Sequence, residues 1–221
     1  MSLSHASSRF FSRYAMLAVA IWLVAMVLSL CVDKPIALWV AAHQPVDKNS
    51  IVTVIVKWPG VYWTTLCISA LLLGFHRQHL RAAALPLTAG AIGGLAYLLI
   101  KWVVGRRRPV IKIQPFHFQP FIGGFGGLFH ESGLCFPSGH TCLSFATAVS
   151  LTMLLPRWRG IWFLFALMVA AERVLENAHY VSDVVAGVGV GALSALLTRG
   201  LLNRYWPIEQ TDSNRELLVG R

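Results

Sequence analysis

Six stretches of this chain are apolar and nearly free of charge in their interiors. They run from about Tyr14 to Val32, Val61 to Phe75, Ala82 to Val104, Gly139 to Leu155, Gly160 to Leu175 and Val184 to Leu202. A helix that crosses a bilayer needs about 20 mostly apolar residues. The second stretch is short, so it is expected to begin a few residues earlier. Charged residues are 13% of the chain, about half the usual share for a soluble domain. That leaves too little polar surface to cover a water-soluble globule. A cytosolic enzyme, a disordered protein and a secreted disulfide scaffold are thereby excluded. In lipid each apolar segment must satisfy its own backbone hydrogen bonds, which favours helices. The expected fold is all-α: a six-span transmembrane helical bundle over residues 1–206, with a polar cytoplasmic tail at 207–221 that is poorly ordered.

Cations orient such a bundle. The chain has 19 Lys and Arg against 9 Asp and Glu, a formal net charge of +10. In an apolar chain this points to loops and lipid head groups, not to nucleic acid. Arg9 and Arg13, Arg77 and Arg81, Arg157 and Arg159, and Arg199, Arg204, Arg215 and Arg221 fall on one side of a six-span layout. That side is expected to be cytoplasmic, with both termini inside. The first stretch reads as a retained helix, longer than a signal-peptide core. Asp33 to Asn49 then becomes an outside connection, with Ile36, Leu38, Trp39 and Val40 along the interface as a short helix. Gly187, Gly189 and Gly191 suit close helix contact in lipid. Most of the eight Trp fall near span ends, as an aromatic belt does. Cys31, Cys67, Cys135 and Cys142 lack metal-ligand spacing and read as small apolar residues; Cys135 and Cys142 are the one pair placed to meet outside.

One basic cluster is on the wrong side. Lys101 ends the third stretch, and Arg106, Arg107, Arg108 and Lys112 follow it. The same outer face receives Ser138-Gly139-His140 at the start of the fourth span, Arg173 near the end of the fifth, and His179 and Asp183 at the start of the sixth. Cations beside a helix N-terminus form an anion site, and an Arg fork fits phosphate oxygens. His179 and Asp183 are four apart, so on a helix they share a face. The carboxylate then orients one imidazole nitrogen and leaves the other as a nucleophile or base, while His140 is free to act as an acid. Two histidines in a cationic cradle point to phosphoryl transfer through a phosphohistidine. Taken singly, Lys101 reads as a snorkelling span end, Arg173 as an interfacial anchor, and Asp183 as a helix cap competing with Ser182. Arg106 and Arg107 read as a solvated loop, or else as cations for a second phosphate or a polar head group. His43, His117 and His130 read as loop residues. Phe116, Phe118, Phe121, Phe125 and Phe129 read as a lid or an interfacial anchor.

Lys101-x6-Arg108-Pro109, then Pro137-Ser138-Gly139-His140, then Arg173-x5-His179-x3-Asp183 resemble the three-part signature of the type 2 phosphatidic acid phosphatase family. That family includes membrane lipid phosphatases and shares its site with vanadium haloperoxidases. The resemblance implies that His179 is the nucleophile, Asp183 its orienting partner and His140 the general acid. It implies a phosphate cradle of Lys101, Arg108, Ser138, Gly139 and Arg173, with no metal and no cofactor. Glu172 stands where the family commonly has Ser. The implied reaction is hydrolysis of a phosphate or diphosphate on a membrane lipid at the outer face of a bacterial inner membrane. Undecaprenyl diphosphate, phosphatidylglycerol phosphate, phosphatidic acid and lipid A phosphates all fit. A lipid phosphotransferase, a vanadate-dependent oxidase and a non-catalytic lipid-binding or transport protein are the alternatives. The oligomeric state is not legible.

Overall fold

The computed structural model of the chain describes residues 3–47, 49–75, 79–111, 113–124 and 133–206, with side chains from residue 15 onward except that of residue 79. The regular elements among them are helical: α1 (Leu3–His43), α2 (Ile51–Lys57), α3 (Tyr62–Phe75), α4 (His79–Val104), α5 (Gly139–Leu154), α6 (Arg159–Leu175) and α7 (Val181–Tyr205). Three segments are long and apolar enough to cross a membrane: Ala15–His43, Leu80–Val104 and Val181–Tyr205. A fourth crossing results if Ile51–Gly60 and Tyr62–Phe75 count as one span bent by 63°. On that count the second span begins at Ile51 and is broken at the 3-10 turn Trp58–Gly60. Helices α5 and α6 have 16 and 17 residues. At 1.5 Å per residue each is about 25 Å long, short of a hydrocarbon core of about 30 Å. Length and composition therefore support three or four of the six expected spans.

Helix α1 corrects a second expectation. It does not stop at Val32 but continues through Pro35 to His43. The stretch read as an interfacial connection is its last turns. Ala37 and Val40 are buried while Leu38 and Trp39 face outward. Asp33, within this stretch, is 1% exposed, and its buried partners hold the helix in place here.

Helix α5 is the centre of the molecule. It packs against α4, α6 and α7 and buries Thr141, Cys142, Phe145, Ala146 and Leu151. Helix α7 meets α5 on one face and α1 on the other, and its glycines explain how. A Cβ on Gly191 would sit 2.3 Å from the Cys142 carbonyl oxygen of α5. One on Gly189 would sit 2.5 Å from the Trp22 ring of α1. The missing Cβ lets the α5 backbone approach at Gly191 and admits the Trp22 ring at Gly189, where dispersion and not water exclusion drives helix association. Trp22 also donates from Nε1 to the Val185 carbonyl at 2.8 Å, so it locks two helices together instead of joining a belt. All four cysteines are free.

The connection from α4 to α5 is knitted to itself. Arg106 bridges to Phe118 and Arg107 to Leu134 in isolated antiparallel pairs. Gly105, at φ 62°, starts the connection; a Cβ there would lie 1.9 Å from the Gln119 carbonyl oxygen. Phe116, Phe118 and Phe121 are exposed. Lys112, Phe125, Phe129, His130 and the tail at 207–221 lie outside the described residues. Arg81, near the start of α4, donates to the Trp206 carbonyl beyond the end of α7 at 2.6 Å. Lys101 is twenty residues along the same helix, about 30 Å away. Among the described residues, Arg81 and Lys101 thus mark opposite ends of the bundle.

Candidate active site

The end of α4, the start of α5, the end of α6 and the approach to α7 converge on a cavity of about 310 Å³. Lys101, Arg108, Gly139, His140, Arg173 and His179 line it, together with Tyr62, Tyr97 and Leu143 and with Gly60 at the α2–α3 bend. Six of the eight residues singled out from sequence therefore share one wall. Lys101 is buried, with Nζ 4.9 Å from the Tyr97 ring centroid. Arg108 is fixed by Nε donating to the Leu134 carbonyl at 3.0 Å. His140 is the second residue of α5, where N–H groups have no intrahelical partner and the helix dipole favours an anion.

Two expected cradle members are placed differently. Ser138 is fully buried and does not line the cavity. Its Oγ accepts from Thr141 Oγ1 at 3.0 Å, and its backbone N–H donates to the Asp183 carbonyl at 2.9 Å. It joins the start of α5 to the start of α7. Gly139 lines the cavity, but a Cβ there would lie 2.9 Å from the Tyr97 ring. The glycine makes room for Tyr97 first.

Arg173 is held by a carboxylate clamp. Its Nε donates to Glu172 Oε2 at 2.6 Å and its Nη2 to Glu172 Oε1 at 2.8 Å. Glu176 also accepts from Nη2. Lys57, from α2, lies 2.7 Å from Glu176 Oε1 and 3.6 Å from Glu172 Oε1. Glu172 thus orients the motif arginine. Lys57 and Glu176 were not found from sequence. The i,i+3 spacing of Arg173 and Glu176 was the available signal; Lys57 had none, since it pairs across 119 residues.

His179 is 3% exposed, and its Nδ1 lies 3.5 Å from Asp183 Oδ2. Asp183, completely buried, is the third residue of α7 and reaches back to accept from the Tyr180 N–H at 2.9 Å. It caps the helix and faces the histidine with the same oxygen. Its other oxygen accepts from Arg106 Nη1 at 2.5 Å. Arg106 is therefore no solvated loop cation: it is 1% exposed, and Asp33 on α1 holds its Nη2 at 2.7 Å. The reason is charge: two buried carboxylates require a cation between them. Arg107 instead donates from Nε to Gln119 Oε1 at 2.7 Å. Burial lowers the pKa of His179 below the ordinary imidazole value. Asp183 opposes this, and Arg108 and Lys101 reinforce it. A neutral imidazole keeps a lone pair for attack. Among the described residues, no group of three or more His, Cys, Asp or Glu is placed to hold a metal ion.

Residues 82–206, more than half of the chain, match the family model described as the PAP2 superfamily. The chain belongs to the PAP2 superfamily. The PAP2 match takes in every motif residue from Lys101 to Asp183 and leaves out α1, α2 and α3, which carry Asp33 and Lys57. The chain is similar to a lipid A 1-phosphatase of Rhizobium johnstonii, 37% identical over 107 residues, covering 48% of this chain and 41% of that one. It is also similar to a lipid A 1-phosphatase of Rhizobium etli, 35% identical over 113 residues, covering 50% of this chain and 46% of that one. The chain thus matches less than half the length of these curated relatives. Among solved structures it is similar to a transmembrane PAP2-type phosphatidylglycerolphosphate phosphatase from Bacillus subtilis, with a TM-score of 0.61 at 21% identity. That likeness covers 86% of this chain and 98% of the other, and it concerns the fold.

Proposed function

We propose that the protein is an integral membrane phosphatase that releases phosphate from a lipid through a phosphohistidine on His179, without a metal. The observation that carries this is the convergence of Lys101, Arg108, Arg173, His140 and His179 on one cavity. With Nδ1 turned to Asp183, the free nitrogen of His179 attacks phosphorus. The three cations hold the equatorial oxygens and offset the charge of the transition state. His140 takes up a proton as the anionic phosphate enters and offsets the cations of the cavity, and gives that proton to the departing lipid oxygen. It then takes a proton from water, which attacks the phosphohistidine and restores His179 as phosphate leaves. The N–H groups at the start of α5 add to the cradle.

On the six-span reading this end of the bundle lies outside a bacterial inner membrane, with Arg81, Arg157 and Arg204 inside by the positive-inside trend. The lipid chain stays in the bilayer while its head enters the cavity. The curated relatives named above favour a phosphate on a lipid A-type glycolipid as the substrate. Phosphatidic acid, phosphatidylglycerol phosphate and undecaprenyl diphosphate are the comparison lipids. The test is phosphate release from these four lipids by purified protein and by His179→Ala. Release by the native protein and none by the variant is expected. Undiminished release by a folded His179→Ala contradicts the mechanism.

A further inference from the structure

We propose that Asp33 and Arg106 are positioning residues for His179, acting through Asp183. A buried carboxylate–guanidinium–carboxylate chain runs from α1 to the nucleophile and sets its orientation and basicity. The inference rests on the reading of His179 as nucleophile, and it adds α1, which lies outside the family match, to the site.

The geometry leaves Arg106 no freedom. Its Nε donates to the Pro115 carbonyl at 2.7 Å, Nη1 to Asp183 Oδ1 at 2.5 Å and to Ser182 Oγ at 2.6 Å, and Nη2 to Asp33 Oδ2 at 2.7 Å. The guanidinium also stacks 4.3 Å from the Tyr180 ring centroid. Asp33 is equally committed: Oδ1 accepts from the Ser182 N–H at 2.9 Å and Oδ2 from the Ser182 hydroxyl at 2.5 Å. All three charged residues are at most 1% exposed. A buried ion triad is an expensive way to hold two helices together, since apolar side chains of the same volume often do so as well or better. This one ends on the carboxylate that faces His179 Nδ1.

The charge around His179 makes the triad consequential. Lys101 from α4, Arg108 from the α4–α5 connection, Arg173 from α6 and His140 from α5 share its cavity. Every cation there disfavours an imidazolium. Asp183 favours it directly, and Asp183 is shared with Arg106, which is shared with Asp33; Glu172 and Glu176 act one step removed, through Arg173. Burial raises Cys135 well above the ordinary thiol value and Tyr180 to about 12, so both stay neutral behind the triad. Two carboxylates and one guanidinium leave a net −1 facing His179. Removing the Asp33 charge brings this to zero; removing the Arg106 charge brings it to −2.

The sign of the response separates tuning from mere support. Purified full-length protein with isotope-labelled histidine is titrated by NMR, the His179 signal being identified by its loss in His179→Ala. In Asp33→Asn the His179 titration is expected to move down by about one unit, and in Arg106→Gln up by a similar amount. In Asp33→Asn, kcat falls about tenfold with KM changed less than about threefold. Asp33→Glu, which keeps the charge, returns the titration toward the native position. If Arg106→Gln does not fold, Arg106→Lys replaces it: the titration stays near native while kcat falls, because one ammonium cannot hold both carboxylates. Shifts in the same direction, no shift in folded Asp33→Asn, or native kcat in Arg106→Lys would overturn the proposal. Titration does not depend on turnover. A native protein that releases no phosphate yet shows opposite shifts would refute the phosphatase reading and leave the positioning role standing.

Discussion

At the scale of single residues, the site is organised by where charge is held, not by how much there is. Arg173 illustrates this. Glu172 occupies its Nε and Nη2 edge, so the guanidinium is presented in one orientation. Glu172→Ala is expected to raise KM for the lipid about five- to tenfold, with a smaller change in kcat; unchanged KM in steady-state phosphate release would show that the clamp is dispensable. His179 sets the pH dependence. Its pKa is lowered, chiefly by burial, so the neutral form persists below the ordinary imidazole value of about 6.5. The acidic limb of kcat/KM is expected below that value. The unfolded chain protonates this histidine first as pH falls, so stability present above about 6.5 is lost progressively below it. Thermal melts between pH 7 and 5 check the sign: the midpoint falls on acidification, and less so in His179→Ala. The motif residues were legible because their types and spacings sit at helix ends that sequence can locate. Asp33 and Lys57 were not. Their pairings cross 73 and 119 residues, and nothing local marks either partner. Arg106 was misread because a run of three arginines looks solvated, whereas burial depends on what folds over it.

At the scale of elements, helix ends line the proposed site and helix faces carry the assembly. The apolar stretches located the helices, and α4 to α7 lie where they were expected. The ends of α1 and the bend before α3 were not legible. Asp33 and Pro35 resemble a break, but buried partners carry α1 past them. Lys57-Trp58-Pro59-Gly60 interrupts two apolar runs with a Pro-Gly turn signal, and the first run, Ile51 to Val56, is too short to be read as part of a span on its own. The α7 glycines give the sharpest test of packing. Gly191→Val places a side chain against the Cys142 carbonyl, 2.3 Å from its Cβ, and is expected to destabilise the protein by about 2–4 kcal/mol. Gly200, on the same helix, has open space around its Cβ position. Gly200→Ala is expected to be neutral or to stabilise by up to about 1 kcal/mol. Thermal unfolding in detergent compares the two, and equal midpoints would contradict the packing described.

At the scale of the whole molecule, the charge excess divides between the two ends of one bundle. On the proposed orientation the end bearing Arg81 and Arg204 is cytoplasmic; the end bearing Lys101, Arg108 and Arg173 encloses the cavity proposed to take the phosphate. Cysteine introduced at Phe116 in intact cells is expected to react with an impermeant maleimide, whereas cysteine introduced at Arg204 is expected to react only after permeabilisation. The reverse pattern would invert the orientation. Phosphate release is expected to continue in excess chelator; loss restored by a divalent metal would replace the histidine mechanism with a metal-dependent one. The central claim is that His179 removes phosphate from a lipid. Its most direct measurement is phosphate released from lipid A 1-phosphate by purified full-length protein beside His179→Ala. Turnover by the native chain and a loss of at least about a thousandfold in a folded variant are expected. Equal release by the two would contradict the claim.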